Sequence, residues 1–231
     1  MRLENPPATW SRPTVMLPFV VRPATSPDDL RKVAQMRAEA YGRHLPAFAA
    51  RLRKVEDADR SPGVVVLLAE SKDDGRALGT LRLQVDHERA LPIEASVVLP
   101  TWLRDAGPVI EPTRLGVESG ECGALARNAL LKACYLYAMA AGAAWIVAAA
   151  RRPVDRLYKA LLFRDVFEGG PAWPMAHIGD LPHRVLALPV REARALAAAR
   201  GHPLAAHFFE TEHPDLIVDA APLRARVLAA A

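Results

Sequence analysis

The alternation of apolar and polar positions is clearest between Val109 and Phe163, where strand-like and helix-like patterns follow one another. Val109–Val117 is short, rich in β-branched and apolar residues, and bounded by turn formers, so it reads as a strand. Ser119-Gly120-Glu121-Cys122-Gly123 breaks it. From Ala124 to Ala141 the chain is rich in alanine and leucine, with Leu125, Ala129, Ala133, Leu136 and Ala140 at helical spacing. Gly142 stands where a left-handed C-terminal cap belongs. Ala144–Ala150 is almost wholly apolar, as a strand covered on both faces should be. Pro153 fits the first turn of a helix continuing through Val154–Phe163. Two strands joined by a helix of this length should be parallel, with a right-handed crossover. Ligands in such units bind beyond the carboxyl ends of the strands.

The flanking patterns are shorter. Phe19–Arg22 is a first strand ended by Pro23. Ser26 caps a helix, with Pro27 in its first turn and Asp28 and Asp29 at the positive end of its dipole. Leu30, Val33, Met36, Arg37 and Ala40 give that helix its inner face. His44–Arg60 is basic, polar and proline-marked, and reads as a partly helical, mobile segment. Val64–Ala69 and Leu78–Val85 form a hairpin about Lys72–Gly75. Arg89–Gly107 is irregular, with a short strand at Val97–Leu99, and Glu168–Pro182 is a Gly- and Pro-rich loop. His183–Val190 is a last, antiparallel strand at the sheet edge, followed by a helix at Arg191–Arg200 and a terminal helix from about Pro222.

Composition narrows the class. With 231 residues, 51% of them hydrophobic and 24% charged, the chain supports a core and is neither disordered nor collagen-like. The formal charge of +4 is spread along the sequence, which argues against nucleic acid and suits an acidic carrier protein or a phosphate-bearing ligand. Cys122 and Cys134 form neither a disulfide framework nor a metal pattern and read as two buried thiols. Met1–Pro18 holds four prolines and no apolar core, so it reads as an extended arm rather than a leader. The longest uncharged apolar run, Ala138–Ala150, is about 13 residues, too short to cross a bilayer, and the expectation is a cytoplasmic protein.

Two segments bring in a family. Leu157-Tyr158-Lys159-Ala160-Leu161-Leu162-Phe163, following a strand, resembles the L-Y-x-x-x-G-F segment of the GNAT superfamily of N-acyltransferases. Glu111-x-Thr113-Arg114-Leu115-x-Val117 resembles the E-x-[ST]-R strand of the branch that uses acyl carriers, which contains the N-acyl amino acid synthases and the acyl-homoserine-lactone synthases. The resemblance spans Phe19 to Val190. It implies an α/β (α+β) GNAT-like fold, a mixed and mostly antiparallel sheet with helices on both faces. The expected organisation is an arm at 1–18, an acyltransferase domain at 19–190 and a helical extension at 191–231.

The same resemblance distributes roles. Tyr158 matches the tyrosine that protonates the departing thiolate. Leu162 stands where the family usually has glycine, which narrows the channel there. Glu111, flanked by Ile110 and Pro112, would be desolvated and its pKa raised, as a base for an incoming ammonium requires. Strict alternation sets Glu111 and Arg114 on opposite faces; Pro112 signals an edge or bulge, and one extra residue would bring both to one face. Arg37 and Tyr41 resemble the acceptor-pocket helix, Asp57 and Asp59 its acidic loop, and Arg82 the arginine of its third strand. An arginine fork suits a carboxylate acceptor. The lactone synthases also place a tryptophan between these helix and loop positions, and none occurs from Tyr41 to Asp59.

On the donor side, Leu115 and Val117 continue the strand, and Gly120, Gly123 and Ala124 open the following helix, whose free amides would hold phosphate. Ser119–Ala124 lacks the glycine spacing and leading basic residue of a coenzyme A diphosphate loop, so a single phosphate fits more easily. Arg151, Arg152, Arg156 and Lys159 gather at the expected cleft mouth and would dock an acidic carrier. His177 and His183 have no metal-ligand spacing, and no nucleophile elbow is present. The expectation is therefore an enzyme that moves a fatty acyl chain from an acyl-carrier-protein thioester, or acyl-CoA, to the amine of an amino acid or similar acceptor. No permanently bound cofactor and no metal are expected. The alternatives are a lactone synthase using S-adenosylmethionine and a GNAT-like module that binds acyl or carrier without turnover.

Overall fold

A computed structural model describes residues 12–87 and 89–219. Its strands are β1 (Phe19–Pro23), β2 (Val64–Ser71), β3 (Ala77–Val85), β4 (Val109–Val117), β5 (Trp145–Ala150), β6 (Arg164–Asp165), β7 (Ala172–Met175) and β8 (Leu181–Pro189). The helices are α1 (Pro27–Gly42), α2 (Pro46–Arg51), α3 (Thr101–Arg104), α4 (Gly120–Ala140), α5 (Val154–Ala160) and α6 (Ala193–Ala199). One sheet runs β1-β2-β3-β4-β5-β8-β6, with β7 also on β8. Only β4 and β5 are parallel, so the sheet is mixed and mostly antiparallel.

Strand periodicity sorts the core into layers. Ile146 and Ala148 of β5 join the cluster under α4, whereas Trp145 and Val147 join the cluster holding Phe48 and Leu52. Leu30 and Val33 of α1 pack on Val66 and Leu68 of β2. Ser26 and Asp29 make a reciprocal capping box at the start of α1, at 3.0 and 3.1 Å. Gly142, at φ 70°, closes α4: its amide reaches Met139 and that of Ala143 reaches Ala138, the double bond of a Schellman cap.

Several expectations change. Helix α4 starts at Gly120, and its inner face is Ala126, Ala129, Leu130, Ala133, Cys134 and Tyr137, with Leu125 exposed. An alanine-rich helix has so weak a polar–apolar contrast that its buried side is poorly written. His44–Arg60 is packed, with Phe48 and Leu52 buried. Val97–Leu99 forms no strand; Val97 and Leu99 are buried and Val98 is exposed, an alternation without a ladder partner. Strand β8 is interior rather than terminal, because β6 and β7 pair along its outer edge. Helix α5 ends at Ala160. Of the two cysteines, Cys134 is buried and Cys122 is exposed. Residues 12–18 run along the C-terminal segment, the Val15 amide bonding Glu212 and that of Leu17 bonding Asp215. The rest of the expected arm and the terminal helix from Pro222 lie outside the described residues. Among the described residues no helix is long and apolar enough to cross a membrane.

Candidate active site

The β4–β5 ladder covers only Val109–Trp145 and Ile110–Ile146. Beyond it the strands part, because Pro112 has no N–H to continue the ladder and a bulge turns β4 aside. Thr80 pairs with Gly116 but Arg82 with Thr113, leaving one extra residue in β4, and Arg114 takes φ 58°. The bulge returns the Arg114 side chain to the face of Glu111 and Thr113. A cleft of about 450 Å³ opens where the strands separate. Its walls come from β4 (Glu111 to Val117), the end of α1, the turn after β5, and His177.

Glu111 is fully buried. The Ile93 amide donates to its Oε2 at 3.0 Å, while Oε1 has no partner and lies 3.9 Å from Nε2 of His177. Burial pushes the Glu111 carboxyl up to about 8. Burial, with Arg114 nearby, pushes His177 down to about 4. At neutral pH the pair is therefore a neutral acid beside a neutral imidazole. Tyr158, on α5, is 4% exposed, its ring 5.0 Å edge-on to Phe163. It lines the cleft, its hydroxyl makes no hydrogen bond to a described residue, and burial raises its pKa.

Beside the cleft three arginines share two carboxylates. Arg37 donates to Asp59 at 2.8 and 2.9 Å, and Arg82 reaches Asp59 and Glu56 at 3.3 Å. Arg114 grips both oxygens of Glu56 at 2.8 Å and also the His177 carbonyl at 3.1 Å. Burial works against ionisation of Glu56, yet Arg114 first, then Arg82 and Arg37, hold its carboxyl down to about 2. Arg82 donates as well to Thr113 at 3.1 Å.

The expected positions divide accordingly. Glu111, Arg114, Leu115, Val117, Tyr41, Tyr158, Arg151 and Arg152 line the cleft. Arg37, Asp59 and Arg82 sit behind it, buried in one another, so the expected arginine fork is closed by internal carboxylates. Asp57 is exposed and outside the cluster. Gly120, Gly123 and Ala124 do not line the cleft. A Cβ on Gly123 would stand 2.0 Å from the Glu118 carbonyl, so that glycine is required by backbone crowding. Arg156 is exposed away from the cleft, and Lys159 pairs with Asp165 at 2.6 Å. Glu56, His177, Arg43 and Arg127 are additions. Glu56 was signalled indirectly: three buried arginines need more counter-charge than Asp59 alone supplies. Among the described residues no group is placed to hold a metal.

The model of the N-acyl amino acid synthase FeeM family matches residues 32–174. No match was found among curated protein sequences. Among solved structures the chain is similar to FeeM, an N-acyl amino acid synthase from uncultured soil microbes, at 15% identity and TM-score 0.63, over 79% of this chain and 96% of that one. It is also similar to BjaI, a CoA-dependent acyl-homoserine lactone synthase, at 19% identity and TM-score 0.56, over 90% and 98%. An aminoglycoside 6'-acetyltransferase type Ii matches at 12% identity and TM-score 0.50, over 74% and 97%. The family match covers the parted strands, the bulge with Glu111 and Arg114, and the helix of Tyr158, and with it the chain belongs to the FeeM family of N-acyl amino acid synthases and is a GNAT-fold N-acyltransferase.

Proposed function

We propose that the chain moves a fatty acyl group from a pantetheine-borne thioester to the amine of an amino acid or similar small acceptor. The observation that carries this reading is the gap between β4 and β5, into which a wholly buried carboxyl, Glu111, turns an unpaired oxygen. An ammonium must lose a proton before it attacks. Ionised Glu111 takes that proton, at a pKa of about 8 that suits the task, and passes it to solvent in the cleft it lines. The amine nitrogen bonds to the thioester carbon while backbone amides on the free edge of β4 hold the oxyanion. As the C–S bond breaks, Tyr158 gives its proton to the sulfur and regains one from that solvent.

The rim supports an anionic donor. Arg43, Arg127, Arg151 and Arg152 line the cleft, and among the described residues the only carboxyl lining it is Glu111. BjaI has been solved with isopentyl-CoA. For this chain the donor is an acyl-carrier protein or coenzyme A thioester, the shared pantetheine entering between the strands. The basic rim and the missing diphosphate loop favour the carrier. Because Arg37 and Arg82 are already paired, an acceptor carboxylate meets the rim arginines instead. Residues 19–190 carry the activity. Thiol release from an acyl-pantetheine thioester by the purified protein tests this reading: release that depends on added amino acid is expected, and release indifferent to amine would overturn it.

A further inference from the structure

Helix α5 is seven residues long and fully buries two side chains, Tyr158 and, one turn before it on the same face, Asp155. So short a helix has little stability of its own and lies where its inner side chains hold it. Leu157 is half-buried, while Val154, Arg156, Lys159 and Ala160 are exposed. The ring of Tyr158 meets Phe163 edge-on, a contact that tolerates a range of separations and tilts. The Tyr158 hydroxyl bonds to no described residue, so the place of its proton follows the placement of the helix. The buried carboxylate beside it is the directional anchor.

Asp155 is 4% exposed, and a carboxylate so far withdrawn from water is costly unless a cation meets it. Among the described residues its ionic partner is Arg184, whose Nε lies 3.6 Å from Oδ2, while Oδ1 is buried without a bond. Arg184 stands on a rigid base, because β8 is interior and pairs at this position with Ala150 of β5 and Ala172 of β7. Its guanidinium also lies 3.4 Å from Asp165 of β6, which holds Lys159 at 2.6 Å. Gly170, at φ 58°, closes over the guanidinium, and a Cβ there would collide with Nη1. Two acids and two bases thus tie α5 to the sheet, through Asp155 before Tyr158 and Lys159 after it.

We propose that Asp155 and Arg184 are a positioning pair for Tyr158, setting the rotation of α5 so that the phenol points at the departing sulfur. The inference rests on the acyl-transfer reading above, in which Tyr158 supplies that proton. Opposite charges a few ångströms apart resist rotation of the helix against the strand, whereas the edge-on ring contact permits it. A misplacement of about 1 Å at a reacting group costs up to ~10²-fold in rate. Neither Asp155 nor Arg184 lines the cleft, so their loss should appear in kcat and leave KM alone.

Steady-state kinetics on a double-variant cycle separates this role from plain stabilisation. Native protein, Arg184→Gln, Tyr158→Phe and the two combined are assayed for amine-dependent thiol release. The donors are an acyl-carrier-protein thioester and the matching acyl-CoA, with mixed amino acids as acceptors. Arg184→Gln should lower kcat about 10–100-fold with KM unchanged for donor and amine. In the Tyr158→Phe background it should change kcat by less than about twofold, since no phenol is left to place. Melting curves identify the folded variants, and Asp155→Asn, which leaves no buried charge, replaces Arg184→Gln if that variant fails to fold. An equal loss in both backgrounds, a loss carried by KM, or an unchanged kcat overturns the positioning role while acyl transfer stands. A fully active Tyr158→Phe overturns it together with the proton donor, and the absence of amine-dependent release from native protein overturns both readings.

Discussion

Removing the charge of Glu56 should cost both stability and activity, although this residue touches neither reacting group. In Glu56→Gln the three guanidiniums of Arg37, Arg82 and Arg114 keep only Asp59 as a counter-charge, and Arg114 loses both of its 2.8 Å bonds. Breaking a buried ion pair costs about 3–5 kcal/mol. The Glu56 side chain is 24% exposed, so solvent screening lowers the expectation to about 2–3 kcal/mol. For a chain of this size that is a fall in melting temperature of about 4–12 °C. Arg114 also holds the His177 carbonyl, so its release loosens the turn facing Glu111 and should slow transfer about 10–100-fold. The sign of the pH dependence is fixed. The Glu56 carboxyl is held at about 2 against its usual 4.5, so its contribution is complete above 4.5 and is lost as pH falls towards 2. Urea unfolding of native protein, Glu56→Gln, Arg114→Gln and the double variant measures the coupling. A Glu56→Gln midpoint matching that of the native protein at neutral pH would refute the reasoning.

Three variants at the site carry four further outcomes. Glu111→Gln should lower transfer by about 10²–10⁴-fold and abolish a rise in kcat/KM that levels above about pH 8; an unchanged profile would remove Glu111 as the base. Because burial holds the Glu111 proton up to about pH 8, its contribution to stability is present below 4.5 and is lost as pH rises through 8, so Glu111→Gln should gain on the native protein in alkaline melts. Tyr158→Phe should slow transfer by about 10²–10⁴-fold with little change in melting temperature, and full activity would leave it a packing role. Arg151→Glu with Arg152→Glu should raise KM for a carrier-borne donor, and the native KM should rise with salt, whereas salt-independent kinetics would argue against docking at this rim.

How much was legible differs by level. The strand–helix–strand–helix run was written in local pattern, because each element there is long or cleanly bounded. The bulge at Arg114 was legible from Pro112 and from the need to bring two charged residues to one face. The buried side of α4 was not, since alanine gives little contrast between faces and even Lys132 is buried there. Strands β6 and β7 were hidden because a pairing of two to four residues carries no periodicity. Glu56 and His177 lie in segments without a repeating pattern, and their partners are 58 and 66 residues away, so only the folded chain joins them. The fate of Arg37 and Arg82 turns on the same closure: the sequence offers their charge, and the fold spends it internally on Asp59 and Glu56.

Amine-dependent acyl transfer at the parted strands is read out by mass spectrometry of the product. The purified protein is incubated with an acyl-carrier thioester or the matching acyl-CoA, with mixed amino acids in one arm and S-adenosylmethionine in the other. The expected products are an N-acyl amino acid and one free thiol for each, formed faster from the carrier, and slowed about 10²–10⁴-fold in Glu111→Gln. A lactone ion without any acyl amino acid, or free fatty acid as the sole product, would contradict this outcome.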